Sequence, residues 1–360
     1  MAENLKKAIV AMSGGVDSSV AALLAGRAGY ECIGVTMKLF EGDDTGESGC
    51  CSADDAEDAR TVACRIGIPF YVFNFKREFR ECIIDRFTQY YLSGRTPNPC
   101  IDCNRTMKFG KLFARADELG YGYIVTGHYA RTEYDEASGK YLLKRAVNTE
   151  KDQSYVLYQL TQEQLSRVKF PLGGLSKDEV RAIAEENGFV NAHKPDSQDI
   201  CFIPDGDVFA AVTRYSGVTP EPGDFLDTSG KVIGRHEGIC KYTVGQRKGL
   251  GIAAGEPLYV RSINAADNTV VLCRGDELFS RGAQIKDINW CSGEAPAAPF
   301  TCGVRIRYRA PISPAKVVPA GGDTAEIEFD VPQRAVTPGQ AAVFYEGETV
   351  LGGGEIVRGY

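Results

Sequence analysis

Two stretches of this 360-residue chain hold residue types that can do chemistry. The first is Ala11-Met12-Ser13-Gly14-Gly15-Val16-Asp17-Ser18, between the apolar run KAIVA and the small-residue run VAALLAG. Glycines at a strand-to-helix turn let backbone N–H groups approach an anion, and the helix N-terminus adds partial positive charge. Ser13, Ser18 and Ser19 supply hydroxyls, and Asp17 is a carboxylate suited to orienting Mg2+. The pattern is neither the Walker GxxxxGK[ST] nor the dinucleotide GxGxxG, so it predicts a phosphate site of another kind. The second stretch is GRTPNPCIDCNRTMKFG, residues 94–110. Its prolines stiffen a loop and put Cys100 and Cys103 at its tip or at the entry to a helix. A thiol there, near Arg95, Arg105 and Lys108 in sequence, is expected to be acidic and reactive. The competing reading is a zinc or structural CxxC pair. A second CxxC is absent, and His128, His193 and His236 lack finger spacing, which argues against a closed zinc site. Cys201, in KPDSQDICFIP, reads on its own as a core residue where a loop enters a strand.

The elements that must position these residues follow from periodicity. Residues 7–12, 31–39, 70–75 and 123–129 read as strands, and 17–29, about 53–66, 76–92 and about 104–119 as helices. Ser52 is the expected N-cap of the second helix. This alternation predicts an α/β domain built on a doubly wound parallel sheet. Residues 151–190 read as mostly helical, with a capping box in Ser176-Lys177-Asp178-Glu179. From about residue 206 the pattern changes to short alternating runs between Pro/Gly turns. Two smaller β domains are expected there, the C-terminal one barrel-like. The expected division is 1–205, 206–274 and 275–360.

Twelve cysteines at irregular spacing in a chain of this length do not suggest a disulfide framework. Most should behave as small buried hydrophobes, Cys32, Cys64 and Cys82 among them. No apolar run approaches a membrane span and no signal-peptide core opens the chain, so a cytoplasmic location is expected. The net charge of −7 disfavours indiscriminate affinity for nucleic acid. Two basic stretches nevertheless stand out. Arg305, Arg307 and Arg309 alternate, so a strand would put all three on one face, and Lys241, Arg247, Lys248 and Arg261 form the other.

Between its strand and helix, SGGVDSS resembles the PP-loop of the ATP-pyrophosphatase superfamily. Those enzymes split ATP into AMP and pyrophosphate and leave AMP on an acceptor oxygen that a nucleophile then replaces. Beyond that loop, GRTPNPxxxCN with KFG, TGHYAR, KDQSY, DSQDICFI and TVGQRKGLGI stand in the order found in bacterial tRNA-specific 2-thiouridylases. The match runs from residue 9 to about 255 and weakens towards the C-terminus. The resemblance implies ATP-dependent conversion of a tRNA wobble uridine to 2-thiouridine, with persulfide sulfur supplied by a relay donor protein. Carried over residue by residue, it implies an ATP site from Ala11 to Ser18, completed by Met37 and Gly127. Cys103 falls on the family's nucleophile and Cys201 on the cysteine that carries the persulfide. Asn98, Pro99 and Cys100 would face the target base. His128, Lys151, Asp152, Gln153, Arg307, Tyr308 and Gln340 would touch tRNA. Many members have Asp where this chain has Cys100, so a second route stays open, with Cys100, Cys103 and Cys201 as three ligands of an iron–sulfur cluster.

Overall fold

The computed structural model describes residues 6–40, 53–196 and 200–360; Ser52 and Ser197-Gln198-Asp199 of the DSQDICFI motif lie outside the described residues. Strand β1 (Lys6–Ala11) is central because Ala8, Ile9 and Val10 are buried on both faces. It pairs in parallel with β2 (Tyr30–Lys38) on one side and β4 (Tyr123–Thr126) on the other. β3 (Phe70–Asn74) and a short β7 (Val168–Lys169) complete the order β3-β2-β1-β4-β7. Helices α1 (Val16–Arg27) and α2 (Ala53–Arg65) are among those that cross over between the strands. The chain order reverses between β1 and β4, and ligands bind beyond the strand C-termini at such a switch point. The glycine loop follows β1, and TGHY begins at the end of β4.

Cys32 is buried as expected, but Cys64 is exposed. Ala59, Val62 and Ala63 form the buried side of α2, and the next residue along a helix turns by about 100° towards solvent. The segment 151–190 is less helical than its pattern suggests: besides one 3₁₀ turn it holds helices only at Gln162–Arg167 and Lys177–Glu186. The Ser176–Glu179 capping box is present in both directions.

A four-stranded sheet follows, ordered β10-β11-β8-β9, from β8 (Gly223–Leu226), β9 (Val232–His236), β10 (Tyr259–Asn264) and β11 (Thr269–Cys273). The C-terminal strands are β12 (Phe279–Trp290), β13 (Phe300–Arg305), β14 (Ser313–Gly321), β15 (Thr324–Arg334), β16 (Ala341–Glu346) and β17 (Thr349–Gly359). Pairing of β12 with both β15 and β17 closes them into a six-stranded barrel. A hairpin that periodicity did not flag, β5 (Ala130–Asp135) and β6 (Lys140–Arg145), leaves the end of TGHY and pairs with β17. The first domain and the barrel therefore share one sheet.

Candidate active site

A cleft of about 710 Å³ opens at the β1/β4 switch point. Ala11, Met12, Ser13, Gly15, Val16, Asp17 and Ser18 line it, with Met37 and Gly127. Gly14 is absent from the lining; at φ +79° it runs against Asp55, whose backbone oxygen a Cβ would meet at 2.3 Å. The Ser18 hydroxyl donates to Gly15 O (2.9 Å) and accepts from Ser13 N (3.2 Å), which holds the turn. Gly127 packs on the same turn: a Cβ there would stand 2.7 Å from Asp17 C and from Ser18 N. Only glycine lets the end of β4 lie flush on the loop. Asp17 accepts at both oxygens from Lys177 Nζ (2.8 and 2.9 Å) and at Oδ1 from the Tyr129 hydroxyl (2.8 Å). Its carboxylate, expected to orient Mg2+, is already paired with an ammonium.

Pro99, Cys100, Cys103 and Cys201 line the same cleft, so thiols nearly a hundred residues apart in sequence open into one space. A helix runs over 99–118, with Pro99 in its first turn. Asn98 is its N-cap, accepting from Cys100 N (3.2 Å) and Ile101 N (3.4 Å), and it lines a smaller neighbouring pocket rather than the cleft. From Cys103 to Lys111 the helix takes wide π turns. Such turns bring residues five apart onto nearly the same face, and both Cys103 and Lys108 line the cleft.

The expected basic surroundings of Cys103 are only partly present. Arg105 donates to Asp102 (3.1 Å), and Arg95 pairs with Glu355 of β17 (3.3 Å). Arg86 bridges Asp102 (3.1 Å) and Glu355 (3.3 Å), and Tyr90 donates to Glu355 as well. Burial raises the Asp102 carboxyl above its ordinary value despite Arg86 and Arg105. Through Asp102 and Glu355, Arg86 fastens this helix to the barrel. Lys108 remains in the cleft, 3.4 Å from His128 Nε2. His128 is buried against Phe109 and Phe170, and its Nδ1 lies 2.7 Å from Thr126 Oγ1. Burial, reinforced by Lys108, holds its pKa well below 6.5, so the ring is neutral.

Of the residues expected at tRNA, Lys151, Asp152, Gln153, His128 and Tyr308 line the cleft, while Arg307 and Gln340 do not. Asp152 is buried, with Arg145 (3.2 Å), Arg305 (3.5 Å) and Ser154 (3.0 Å) on its carboxylate. Gln153 accepts from Tyr129 N (3.0 Å). Lys151 reaches Asp196 (2.8 Å). Tyr308 is 37% exposed at the mouth. Burial, with Asp152 and Cys100 nearby, raises its hydroxyl pKa.

The three-arginine stripe does not form, because β13 ends at Arg305 and the chain turns. Arg305 is buried on Asp152, and only Arg309 points to solvent. Arg307 donates from Nη2 to Val244 O (2.9 Å), Ala335 O (2.9 Å) and the Thr337 hydroxyl. Gln340 donates to Thr96 O (2.9 Å) and Pro97 O (3.1 Å), pinning the RTPNP loop to the barrel. Sequence spacing carries no signal for these long-range pins, nor for Lys177 and Asp196. Lys241, Arg247, Lys248 and Arg261 are all exposed. Among the described residues, no three His, Cys, Asp or Glu side chains come together in an arrangement that could hold a metal ion. Cys100, Cys103 and Cys201 do not form such a group.

A glycine loop at the switch point of a parallel sheet thus opens on the same cleft as Cys100, Cys103 and Cys201, with a β-barrel joined to the same domain. Comparison with known proteins narrows this. The family described as "tRNA methyl transferase HUP domain" matches residues 6–205, the "tRNA methyl transferase PRC-barrel domain" 212–274 and the "Aminomethyltransferase beta-barrel domain" 280–356. A tRNA-specific 2-thiouridylase MnmA of Clostridioides difficile (strain 630) is 50% identical over 355 residues, covering 98% of each chain. The enzyme of that name from Roseiflexus sp. (strain RS-1) is 48% identical over 98% of this chain and all of its own. That of Desulfitobacterium hafniense (strain Y51) is 46% identical over 98% of each. The chain belongs to the tRNA-specific 2-thiouridylase family, a family of tRNA sulfurtransferases.

Proposed function

We propose that the protein thiolates C2 of the wobble uridine of tRNA, giving 2-thiouridine, with ATP as activator and a cysteine persulfide as sulfur source. The observation that carries this reading is the single cleft lined by the glycine loop, Cys103 and Cys201. ATP enters as its Mg2+ complex, with phosphates on the backbone of Ser13 to Ser18 and adenosine towards Met37 and Gly127. Attack of the uridine C2 oxygen on the α-phosphorus releases pyrophosphate and leaves AMP on that oxygen. Oxide is a poor leaving group and AMP a good one, so the adenylated carbon accepts a sulfur nucleophile.

A donor protein of the persulfide-relay kind first loads Cys201. The terminal persulfide sulfur attacks C2 and AMP departs, leaving the base joined to Cys201 through a disulfide. The Cys103 thiolate then attacks Sγ of Cys201, releasing 2-thiouridine and forming a Cys103–Cys201 disulfide that an external dithiol reduces. Pro99 and Cys100 face the target base at the start of the catalytic helix, and Lys151, Tyr308 and Arg309 stand where a polyanion would meet the cleft mouth. The exposed Lys241, Arg247, Lys248 and Arg261 extend that contact over the middle domain. The reading divides the chain at 205/206 and 274/275 and locates it in the cytoplasm; among the described residues no helix is long and apolar enough to cross a membrane.

The descriptions "methyl transferase" and "2-thiouridylase" name different chemistry, and the paired thiols favour sulfur transfer. The test is incubation of unmodified tRNA with protein, MgATP and a persulfide donor, followed by nucleoside mass spectrometry. 2-Thiouridine, with AMP and pyrophosphate in equal amounts, is expected. A methylated base, or thiolation without ATP, would overturn the reading.

A further inference from the structure

Asn191 lies in the turn beyond the helix Lys177–Glu186, buried and outside the lining of the cleft. Its Nδ2 donates to Gly14 O (2.9 Å) and to Ser19 Oγ (2.9 Å). Ser19 is fully buried in α1, and its hydroxyl donates to Gly15 O (3.1 Å). A hydroxyl has one hydrogen, so towards Asn191 it accepts. One side-chain amide therefore holds Gly14 O directly and Gly15 O through Ser19. Gly14 O can only accept, which fixes the nitrogen end of the amide towards the loop. The other end, Oδ1, is buried with no hydrogen-bond partner among the described residues. An amide with an orphaned oxygen is a costly filler for a buried site, so its nitrogen is the atom put to use. The turn is itself held from two sides. Arg181 donates to Ala192 O (3.1 Å) and Lys194 O (3.3 Å), and Lys194 pairs with Asp55 (2.7 Å) and Asp58 (2.6 Å) of α2. Asp55 is the residue on which Gly14 packs.

We propose that Asn191 is a positioning residue that turns the backbone N–H groups of the glycine loop towards the phosphates of ATP. The proposal rests on the reading that this loop binds ATP. In a trans peptide the C=O and the following N–H point in opposite directions. With Gly14 O drawn to Asn191 on the buried side, Gly15 N–H is aimed the other way, and Gly15 lines the cleft. With Gly15 O drawn to the hydroxyls of Ser18 (2.9 Å) and Ser19, Val16 N–H is aimed likewise, and Val16 also lines the cleft. Glycine leaves these two peptides free to rotate, so the direction of their N–H groups has to be set from outside the loop. Donors already aimed at an anion need no reorientation when it binds, which strengthens its hold on the phosphates and on nothing else in the nucleotide.

The test uses the full chain, with MgATP and adenosine as probes and calorimetry as the readout. Asn191→Ala and Asn191→Leu both remove the amide donor. Each should bind MgATP about tenfold or more weaker than the parent, the low end for losing a hydrogen bond to a charged group. Adenosine carries no phosphate and should bind the variants as it binds the parent. Ser19→Ala breaks the arm to Gly15 O but leaves Asn191 on Gly14 O, so MgATP affinity should fall by a smaller factor. A folded Asn191 variant with the parent's affinity for MgATP would overturn the proposal. So would equal losses for MgATP and adenosine, the mark of a general distortion rather than of misdirected N–H groups. Where neither Asn191 variant folds, Ser19→Ala decides, and an unchanged MgATP affinity there overturns the proposal. A parent protein that binds MgATP no more tightly than adenosine would instead refute the underlying reading that the loop holds phosphates.

Discussion

Replacing Arg307 separates two roles that sequence and structure give the same residue. Family resemblance assigns it to tRNA, but its Nη2 points into the protein, at Val244 O, Ala335 O and Thr337. Burial lowers its pKa, consistent with a desolvated guanidinium. One Nη2 carries two hydrogens, so two of the three acceptors are served at a time. Hydrogen bonds involving a charged group contribute roughly 1.5–3 kcal/mol each, and the lower figure fits acceptors that regain water once the side chain is gone, giving about 3 kcal/mol. The buried Nε has no partner, and its removal returns about 1 kcal/mol. Arg307→Ala should therefore lose about 2 kcal/mol. Trp290, the chain's one tryptophan, lies in barrel strand β12 and reports the loss as a lower urea midpoint. The salt dependence of tRNA binding should not change, because no phosphate contact is removed. A slope shallower by roughly 0.7–0.9, one contact's worth, with an unmoved urea midpoint would refute this reasoning.

Other consequences of the geometry can be measured directly. Cys103→Ser and Cys201→Ser should each abolish thiolation, whereas Cys100→Ser and Cys100→Asp should retain part of it in protein shown to be metal-free; activity seen only after iron–sulfur reconstitution would overturn the relay. Gly127→Ala forces a Cβ onto the backbone of Asp17 and Ser18, so ATP affinity should fall about tenfold or more while the fold persists; an unchanged KM for ATP would mean the loop yields. His128 is held neutral, its folded pKa lying well below 6.5. Below pH 6.5 the unfolded chain takes up a proton that the folded one refuses. Stability is therefore lost as pH falls through that range, by up to about 1.4 kcal/mol per unit, and fully present above it. His128→Phe should flatten that part of the urea-midpoint profile against pH; an unchanged profile would assign the slope to other groups.

The parts of this architecture legible in the sequence are those coded by short-range pattern. The central parallel strands β1, β2 and β4 show as apolar runs because they are buried on both faces, and the glycine loop shows because its backbone constraint excludes other residues. The 176–179 capping box is likewise a local device. What the pattern missed depends on distant partners. Hairpin β5–β6 alternates weakly because its burial is set by β17, more than two hundred residues away. Arg305, Arg307 and Arg309 alternate as a strand face would, but β13 stops at Arg305 and two of the three guanidiniums turn inward. No local rule distinguishes an arginine meant for phosphate from one meant for a buried carbonyl.

The inward-turned groups have a consequence for how the reaction is organised. The RTPNP loop that leads into the helix of Cys100 and Cys103 is held by the barrel: Thr96 N donates to Pro338 O (2.9 Å), and Gln340 returns bonds to Thr96 O and Pro97 O. The following helix is held by the Asp102–Arg86–Glu355 bridge, and Glu355 belongs to β17. Hairpin β5–β6, which leaves TGHY, is paired to the same β17. Two walls of the cleft, the thiol helix and the His128 turn, are therefore both fastened to one barrel strand. The barrel and the two walls of the cleft are thus mechanically joined. Of the residues aligned with tRNA contact, Gln340 holds the RTPNP loop to the barrel, while Arg307 ties Val244 of the middle domain to Ala335 and Thr337.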